Sequence, residues 1–427
     1  MKTAHRIGRY LFLLLSISFL LPALAVAAEY YVSTYGSDSN PGTLSQPWKT
    51  VKKATSTLRA GDTAYFRGGT YQEYNITFSN SGSTGNPITL KGYPGETAII
   101  DGANNGIVFE IQNRNHITLD SLTIRRGNLA NIRIAYDYPA TNITIQNCEL
   151  KEFVANDNSA TIYVNTSGAE NILIQNNLIH SVQGYHGNAA GIIIFRGGTL
   201  TIRNNVIYST NIGIYYKHST ANGKVTTIEN NLIYDQDRWG ILLSKSDAVI
   251  RNNVIRDTVA PGIQIFEESS SCSFLESSNN QILHNTIVNN RSGIVLERSS
   301  SCQGAYNTTV RDNLIYNVTG SEFRGLSVWS YYSGSDGSRT TFDHNLLYSS
   351  NFTSPVRVLN SYYSVSSAPL SGSGNLQAEP LFRDYTNKDL TLQPNSAGKG
   401  AASDGKDMGA DMALVGIKVA PSPPVLR

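Results

Sequence analysis

The chain has 427 residues, 36 of them Gly, with only 15% charged residues and a formal net charge of +2. That length exceeds one ordinary compact core. A chain poor in Lys and Glu but rich in Asn, Gly and Ile argues against long helices and for strands joined by tight turns. The near-zero charge excludes bulk electrostatic attraction to nucleic acid, so any anionic partner must be met by a local cluster of cations.

The first segment reads as an export signal. Lys2, Arg6 and Arg9 form a basic start, Leu11 to Leu21 an apolar run, and Ala25-Val26-Ala27 a small-x-small cleavage pattern. The run is too short to favour a membrane span. Residues 1–27 are therefore expected to be a signal peptide, and the mature chain to be secreted or periplasmic with no stable membrane insertion. Their removal takes away three cations and no acid, leaving 31 basic against 32 acidic residues.

Trp48, Val51, Ala54 and Leu58 recur at helical spacing. The segment predicts a helix that lids the N-terminal end of a repeating region, with Asp62 to Tyr71 as the first rung. From there the chain repeats itself. An apolar-x-Asn-Asn-apolar-apolar unit recurs at Ile174–Ile179, Ile202–Ile207, Ile228–Ile233 and Ile250–Ile255, and looser copies carry Asn285, Asn313 and Asn345. The second Asn of successive units is 22 to 32 residues from the next. The short spacing suits one bare turn of a three-strand coil, and the longer ones suit the same coil with inserted loops.

A second unit interleaves with the first. It starts at Gly191, Gly213, Gly240, Gly262, Gly293 and Gly325, and the residues one and three positions later are apolar or aromatic throughout. The residue between them varies. That period-two alternation marks a strand with one face in a core. Asn at a fixed turn position suits a left-handed backbone, and stacked Asn side chains can bond from coil to coil. No long amphipathic helix separates the repeats. The predicted fold is all-β, a right-handed parallel β-helix, with the solenoid over 28–355 and a C-terminal capping segment and Pro-rich tail over 356–427.

Of three cysteines, Cys148 takes an interior repeat position and is expected to be buried. Cys272 and Cys302 follow near-identical Ser runs in corresponding loops, so a disulfide between stacked loops is expected in an oxidising compartment.

Several stretches resemble known secreted β-helix proteins. Tyr30-Tyr31-Val32-Ser33 with Gly36 to Thr43, Gly61 to Tyr71 and Pro87 to Tyr93 look like polysaccharide lyase family 9, which contains pectate lyases. Glu379 to Phe382 and Asp407 to Ala410 are similar to the close of the broader group. The resemblance implies a secreted β-helix acting on an acidic polysaccharide, calcium held by an Asp cluster, and a Lys base. This chain has no Asp-Asp-Gly cluster, so no calcium ligand carries over from the family.

Eliminating a uronate chain needs a cation against the substrate carboxylate, a base for the proton α to it, and a proton for the leaving oxygen. The repeat register points Arg133, Tyr163 and Tyr215 outward at one column and Lys217, Glu297 and Trp329 at the next, with Arg196, His218, Lys245, Glu267 and Arg298 just beyond. The candidate catalytic residues are Lys217, Lys245, His218 and Arg298. Arg133, Tyr163, Tyr215, Arg196 and Trp329 are the candidate sugar contacts. Glu267, Glu268 and Glu297 are the candidate ligands of calcium, the one cofactor considered. The expected partner is an acidic polysaccharide, met by a monomer. A lyase is the favoured reading; the alternatives are a glycoside hydrolase using Glu267 and Glu297, and a non-catalytic glycan-binding solenoid.

Overall fold

The computed structural model describes residues 27–136, 138–165, 168–182, 184, 187–196, 198–217, 224–245, 247–266, 277–297, 307–320, 324–328 and 340–417. Three long sheets run the length of the molecule. Sheet A holds 12 strands from Glu29–Val32 to Thr341–Asp343, sheet B holds 11 from Gly69–Gln72 to Leu346–Tyr348, and sheet C holds 12 from Ile76–Thr77 to Ser361–Tyr363. Each turn of chain gives one strand to each sheet, so every strand pairs with its counterpart one coil away. The pairing is parallel throughout the three sheets except at the last strand of sheet C, which folds back antiparallel on Val356–Val358.

The alternation seen in sequence becomes a stacked core. In sheet C, Ile132, Ile162, Ile192 and Ile214 face one another in successive coils, followed by Ile241, Ile263, Ile294 and Leu326, and all are fully buried. Like residues stack on like, which keeps packing dense without a change of rotamer from coil to coil. The Gly at the start of each of these strands is set by close approach. A Cβ on Gly240 would stand 2.4 Å from Cγ2 of Ile255 in sheet B and 2.6 Å from the carbonyl oxygen of Gly262 in the next coil. Gly240→Ala is accordingly expected to cost about 1–3 kcal/mol through overpacking, read as a lower denaturant midpoint.

The Asn-Asn pair divides two tasks between its members. The first Asn takes the left-handed turn: Asn176, Asn204, Asn230 and Asn252 have φ between 54° and 58°. The second turns inward. Asn177, Asn205, Asn231, Asn253, Asn285, Asn313 and Asn345 are fully buried and form an amide ladder along the corner between sheets A and B. Each backbone N–H and each Nδ2 donates to Oδ1 of the next Asn at 2.9–3.0 Å. Cys148 fills the rung before Asn177, donating its N–H to Asn177 Oδ1, and Asn375 closes the far end. Burial pushes the Cys148 thiol up to about 12.

At the N-terminal end the helix is shorter than its apolar spacing predicts, Val51–Thr57. Thr50 caps it through Lys53 N–H, and the Glu73 carboxylate accepts from the first two helical N–H groups. Trp48 lies outside the helix, bridging to Val32 and stacking on Tyr30 at 4.4 Å. The first rung also begins earlier than predicted, because Glu29–Val32 pairs with Thr63–Phe66.

The C-terminal segment lies along the side of the solenoid. Phe382, Leu390, Leu392 and Met408 make a second core with Val254, Val288, Leu314 and Leu346 on the outside of sheet B. The chain then runs back toward the N-terminal end. Ser403 bonds the Asp312 carboxylate, Ala410 N–H bonds Thr286, Asp411 N–H bonds Asn252, and Gly416 N–H bonds the Asn230 carbonyl. Among the described residues no helix is long and apolar enough to cross a membrane.

Candidate functional site

The outer face of sheet C carries the sequence-nominated groups. Glu110, Arg133, Tyr163, Ile193 and Tyr215 stand opposite one another in successive coils, and the column continues through Leu242, Gln264, Val295 and Ser327. Two residues further along each strand, Asn165, Phe195 and Lys217 form a second column. Alternation therefore places Arg133, Tyr163, Tyr215 and Lys217 on one face.

Their surroundings differ from an open, charged display surface. The middle of the face is apolar: Ile193, Leu242 and Val295 point outward yet are buried. Tyr215 is 3% exposed and Lys217 6%. Tyr215 is thus no open platform for a sugar, because the Lys217 ammonium sits 4.8 Å over its ring. Arg133 is neutralised by Glu110, and its guanidinium also lies 4.1 Å over Tyr136. Tyr163 is half-buried, and that burial raises its phenol.

Lys217 is held by groups that the repeat pattern does not mark. Its Nζ donates to Asn158 Oδ1 at 2.7 Å, across two coils and 59 residues of sequence. Asn158 Nδ2 donates in turn to the Asp157 carboxylate at 2.7 Å, and Asn188 donates to the other oxygen of Asp157 at 2.9 Å. Asp157 and Asn158 lie in the corner before strand Ala160–Asn165, where loop length varies and no column exists to read. The signal available was the polar run Asn156-Asp157-Asn158-Ser159 just ahead of a strand. Arg196 is exposed one coil from Lys217, follows Phe195, and bonds the Lys217 carbonyl through its backbone N–H.

Lys245 requires a correction. The strand Ile241–Leu243 ends before it, so the alternation that would send it outward has stopped. Its side chain is 1% exposed in the corner between sheets C and A. Nζ donates to the Lys224 carbonyl at 2.8 Å and lies 5.3 Å from the centre of the Tyr216 ring, a core side chain. Burial lowers the Lys245 amine to about 8, with Asp247 opposing the shift. The depressed folded value means that the charged form is penalised in the folded state. That penalty, at most about 3 kcal/mol, is fully present below about 8 and fades as the pH rises toward the unfolded value of 10.5. Lys245→Met is therefore expected to gain on the wild type in stability near neutral pH, and the two unfolding curves to converge as the pH rises through that window.

Beyond Leu242 a second polar group occupies the face. Trp239 Nε1 donates to Gln264 Oε1, and Gln264 Nε2 donates to the Glu297 carboxylate. Arg238 stacks 4.2 Å over the Trp239 ring. Burial raises the Glu297 carboxyl, with the Gln264 amide opposing. Lys217 and Glu297 are three coils apart, about 14 Å at the usual strand spacing. Trp239, like Asp157 and Asn158, was not marked by the repeat.

His218, Arg298, Trp329, Glu267, Glu268, Cys272 and Cys302 lie outside the described residues. Among the described residues no group of three or more His, Cys, Asp or Glu side chains could hold a metal ion. Glu297 alone does not fit calcium, which takes six to eight oxygens from ionised or carbonyl donors. Its carboxyl is raised toward the neutral form and engaged by an amide.

Comparisons with known proteins agree with this architecture. Residues 30–194 match the family model described as Pel9A-like, right handed beta helix region, and residues 154–347 match the right handed beta helix region model. The uncharacterized protein YwoF of Bacillus subtilis (strain 168) is 25% identical over 343 residues, 74% of this chain and 68% of that protein. Pectate lyase PEL9 of Emericella nidulans is 44% identical over 84 residues, 19% of this chain and 20% of that enzyme. The crystal structure of pectate lyase Pel9A superposes with a TM-score of 0.59 at 15% identity, over 90% of this chain and 96% of that one. The chain folds as a right-handed parallel β-helix, and its N-terminal coils match the Pel9A-like model.

Proposed function

We propose that the mature chain is a secreted polysaccharide lyase that cleaves an acidic, uronate-containing polysaccharide by β-elimination on the outer face of sheet C. The observation that carries the proposal is the Lys217 amine, held on that face over the Tyr215 ring by Asn158, which Asp157 braces, with Arg196 one coil away. Arg196 is the exposed cation suited to neutralise the substrate carboxylate, which acidifies the α proton. Lys217, as the neutral amine, takes that proton. The electron pair left on carbon forms the new double bond, and the bond to the glycosidic oxygen breaks, its electron pair departing with that oxygen, which takes its proton from water. A Lys base suits this step because a neutral amine has a lone pair that can accept the carbon-bound proton. The name of the Emericella enzyme supports the same chemistry.

These steps use the chain's own side chains and water. The assay is to be run with added calcium and with a chelator, and a calcium requirement would favour Glu267 and Glu268 as ligands.

A hydrolase reading rests on Glu297, whose raised carboxyl suits a general acid. A hydrolase needs a second carboxylate within roughly 5–10 Å. The nominated partner, Glu267, lies outside the described residues. Incubating the mature chain with acidic polysaccharides and following the ultraviolet absorbance of unsaturated uronate ends separates the readings. New reducing ends without that absorbance would favour the hydrolase. Binding without either product would favour a glycan-binding solenoid.

A further inference from the structure

Arg238 joins the Lys217 group to the Glu297 group. It lies just before the strand Ile241–Leu243 and donates its backbone N–H to the Asn211 carbonyl, one coil back, at 2.8 Å. Its side chain reaches a coil further. Nη1 donates to the Gly187 carbonyl at 2.5 Å, across 51 residues of sequence. The guanidinium stacks 4.2 Å over the Trp239 ring, and Trp239 is itself tied to Gln264 of the following coil. A backbone carbonyl and a ring are thus its partners, and among the described residues no carboxylate pairs with it. The approach to Gly187 is close: a Cβ there would stand 2.8 Å from Arg238 Nη1.

What Arg238 holds leads to the amine. Asn188 follows Gly187 and donates to the Asp157 carboxylate at 2.9 Å. Asn158 donates to the other oxygen of that carboxylate and accepts from Lys217 Nζ, each at 2.7 Å. The bases of these two corners are packed, because Phe153, Ala155 and Ala189 form a small buried cluster with Val182 beside it. The tips stand clear of that cluster. Asp157 and Asn158 are exposed and Asn188 is half-buried, so hydrogen bonds set where the acceptor for Lys217 sits. A charged donor makes the stronger kind of hydrogen bond, and the stacked ring limits its wandering.

We infer that Arg238 is a positioning residue for Lys217. It clamps the corner of Gly187 and Asn188, Asn188 braces Asp157, and Asp157 holds Asn158 against the amine. The inference rests on reading Lys217 as the base. Arg238 acts only through this chain of contacts, so its loss should slow turnover without weakening substrate binding.

The test measures kcat and KM of the mature full chain on de-esterified galacturonan or alginate, whichever it cleaves. Arg238→Ala is expected to lower kcat about three- to fivefold, less than Asn158→Ala, with KM nearly unchanged. Arg238→Lys should recover part of the rate, because one N–H suffices for a carbonyl. Gly187→Ala keeps the cation but pushes the flexible guanidinium aside, so it should lose as much as Arg238→Ala. Asn158→Ala with Arg238→Ala should be no slower than Asn158→Ala alone, since both cut the same chain of contacts. Losses that multiply would overturn the inference, as would an unchanged kcat in Arg238→Ala or in Gly187→Ala. Hydrogen exchange over residues 156–159 reads the clamp without turnover: it should quicken in both variants, and exchange equal to the wild type would overturn the clamp. Full activity in Lys217→Ala would sink the catalytic reading, and the exchange result would still decide whether Arg238 holds the corner.

Discussion

Asn231→Ala is expected to cost about 3–5 kcal/mol of stability, whereas Asn230→Ala beside it should cost about 1–2 kcal/mol. Asn231 accepts from both the backbone N–H and Nδ2 of Asn205, and its own Nδ2 donates to the Ile202 carbonyl and to Asn253 Oδ1. It is fully buried, so the alanine leaves groups on both neighbouring coils without partners and without water. Each orphaned group costs about 1–3 kcal/mol. Asn230 supplies a left-handed backbone at φ 58°, where losing Asn for Ala costs roughly 1–2 kcal/mol, and its half-buried Oδ1 accepts one bond, from Asn252 Nδ2 at 2.8 Å. Denaturant unfolding of the two variants checks the difference. Equal costs would show that the ladder adds nothing beyond the turn.

The second large effect concerns activity. Lys217→Ala is expected to lower kcat by about 10²–10⁴, the usual contribution of a positioned base, with folding unaffected. A small primary amine added to the assay should restore part of the rate, because the truncation opens a space where the amine stood. Asn158 acts through Lys217 and is a positioning residue. Asn158→Ala should lower kcat by about tenfold with little change in KM, since the amine loses its 2.7 Å acceptor but keeps its place over Tyr215. Lys245→Met should retain activity, because its head group faces the Lys224 carbonyl and the core. Activity lost in Lys245→Met and kept in Lys217→Ala would exchange the two roles.

The fold was legible because a solenoid repeats one environment many times. The Ile columns of sheet C needed only period-two counting, and the Gly and Asn positions fell at the corners the counting left over. What the pattern hid was local. Alternation correctly turned Lys217 outward, but its partner Asn158 belongs to a corner that does not repeat. The same counting failed at Lys245, because it assumed a strand two residues longer than Ile241–Leu243.

The C-terminal segment also had a signal that went unused. Leu232, Val254, Leu314 and Leu346 each follow the ladder Asn at an outward position, yet they are apolar. Four apolar residues in one outward column require a cover, and residues 382–416 provide it for the coils they cross. Periodicity within that covering segment is absent because it packs against a column and does not form one.

The most direct test tracks ultraviolet absorbance as the mature chain and its Lys217→Ala variant act on de-esterified galacturonan and alginate. The account predicts a steady rise from unsaturated uronate ends with one of these polymers, and a rise at least 100-fold slower in the variant. No rise with either polymer, or an equal rise in both proteins, would contradict it.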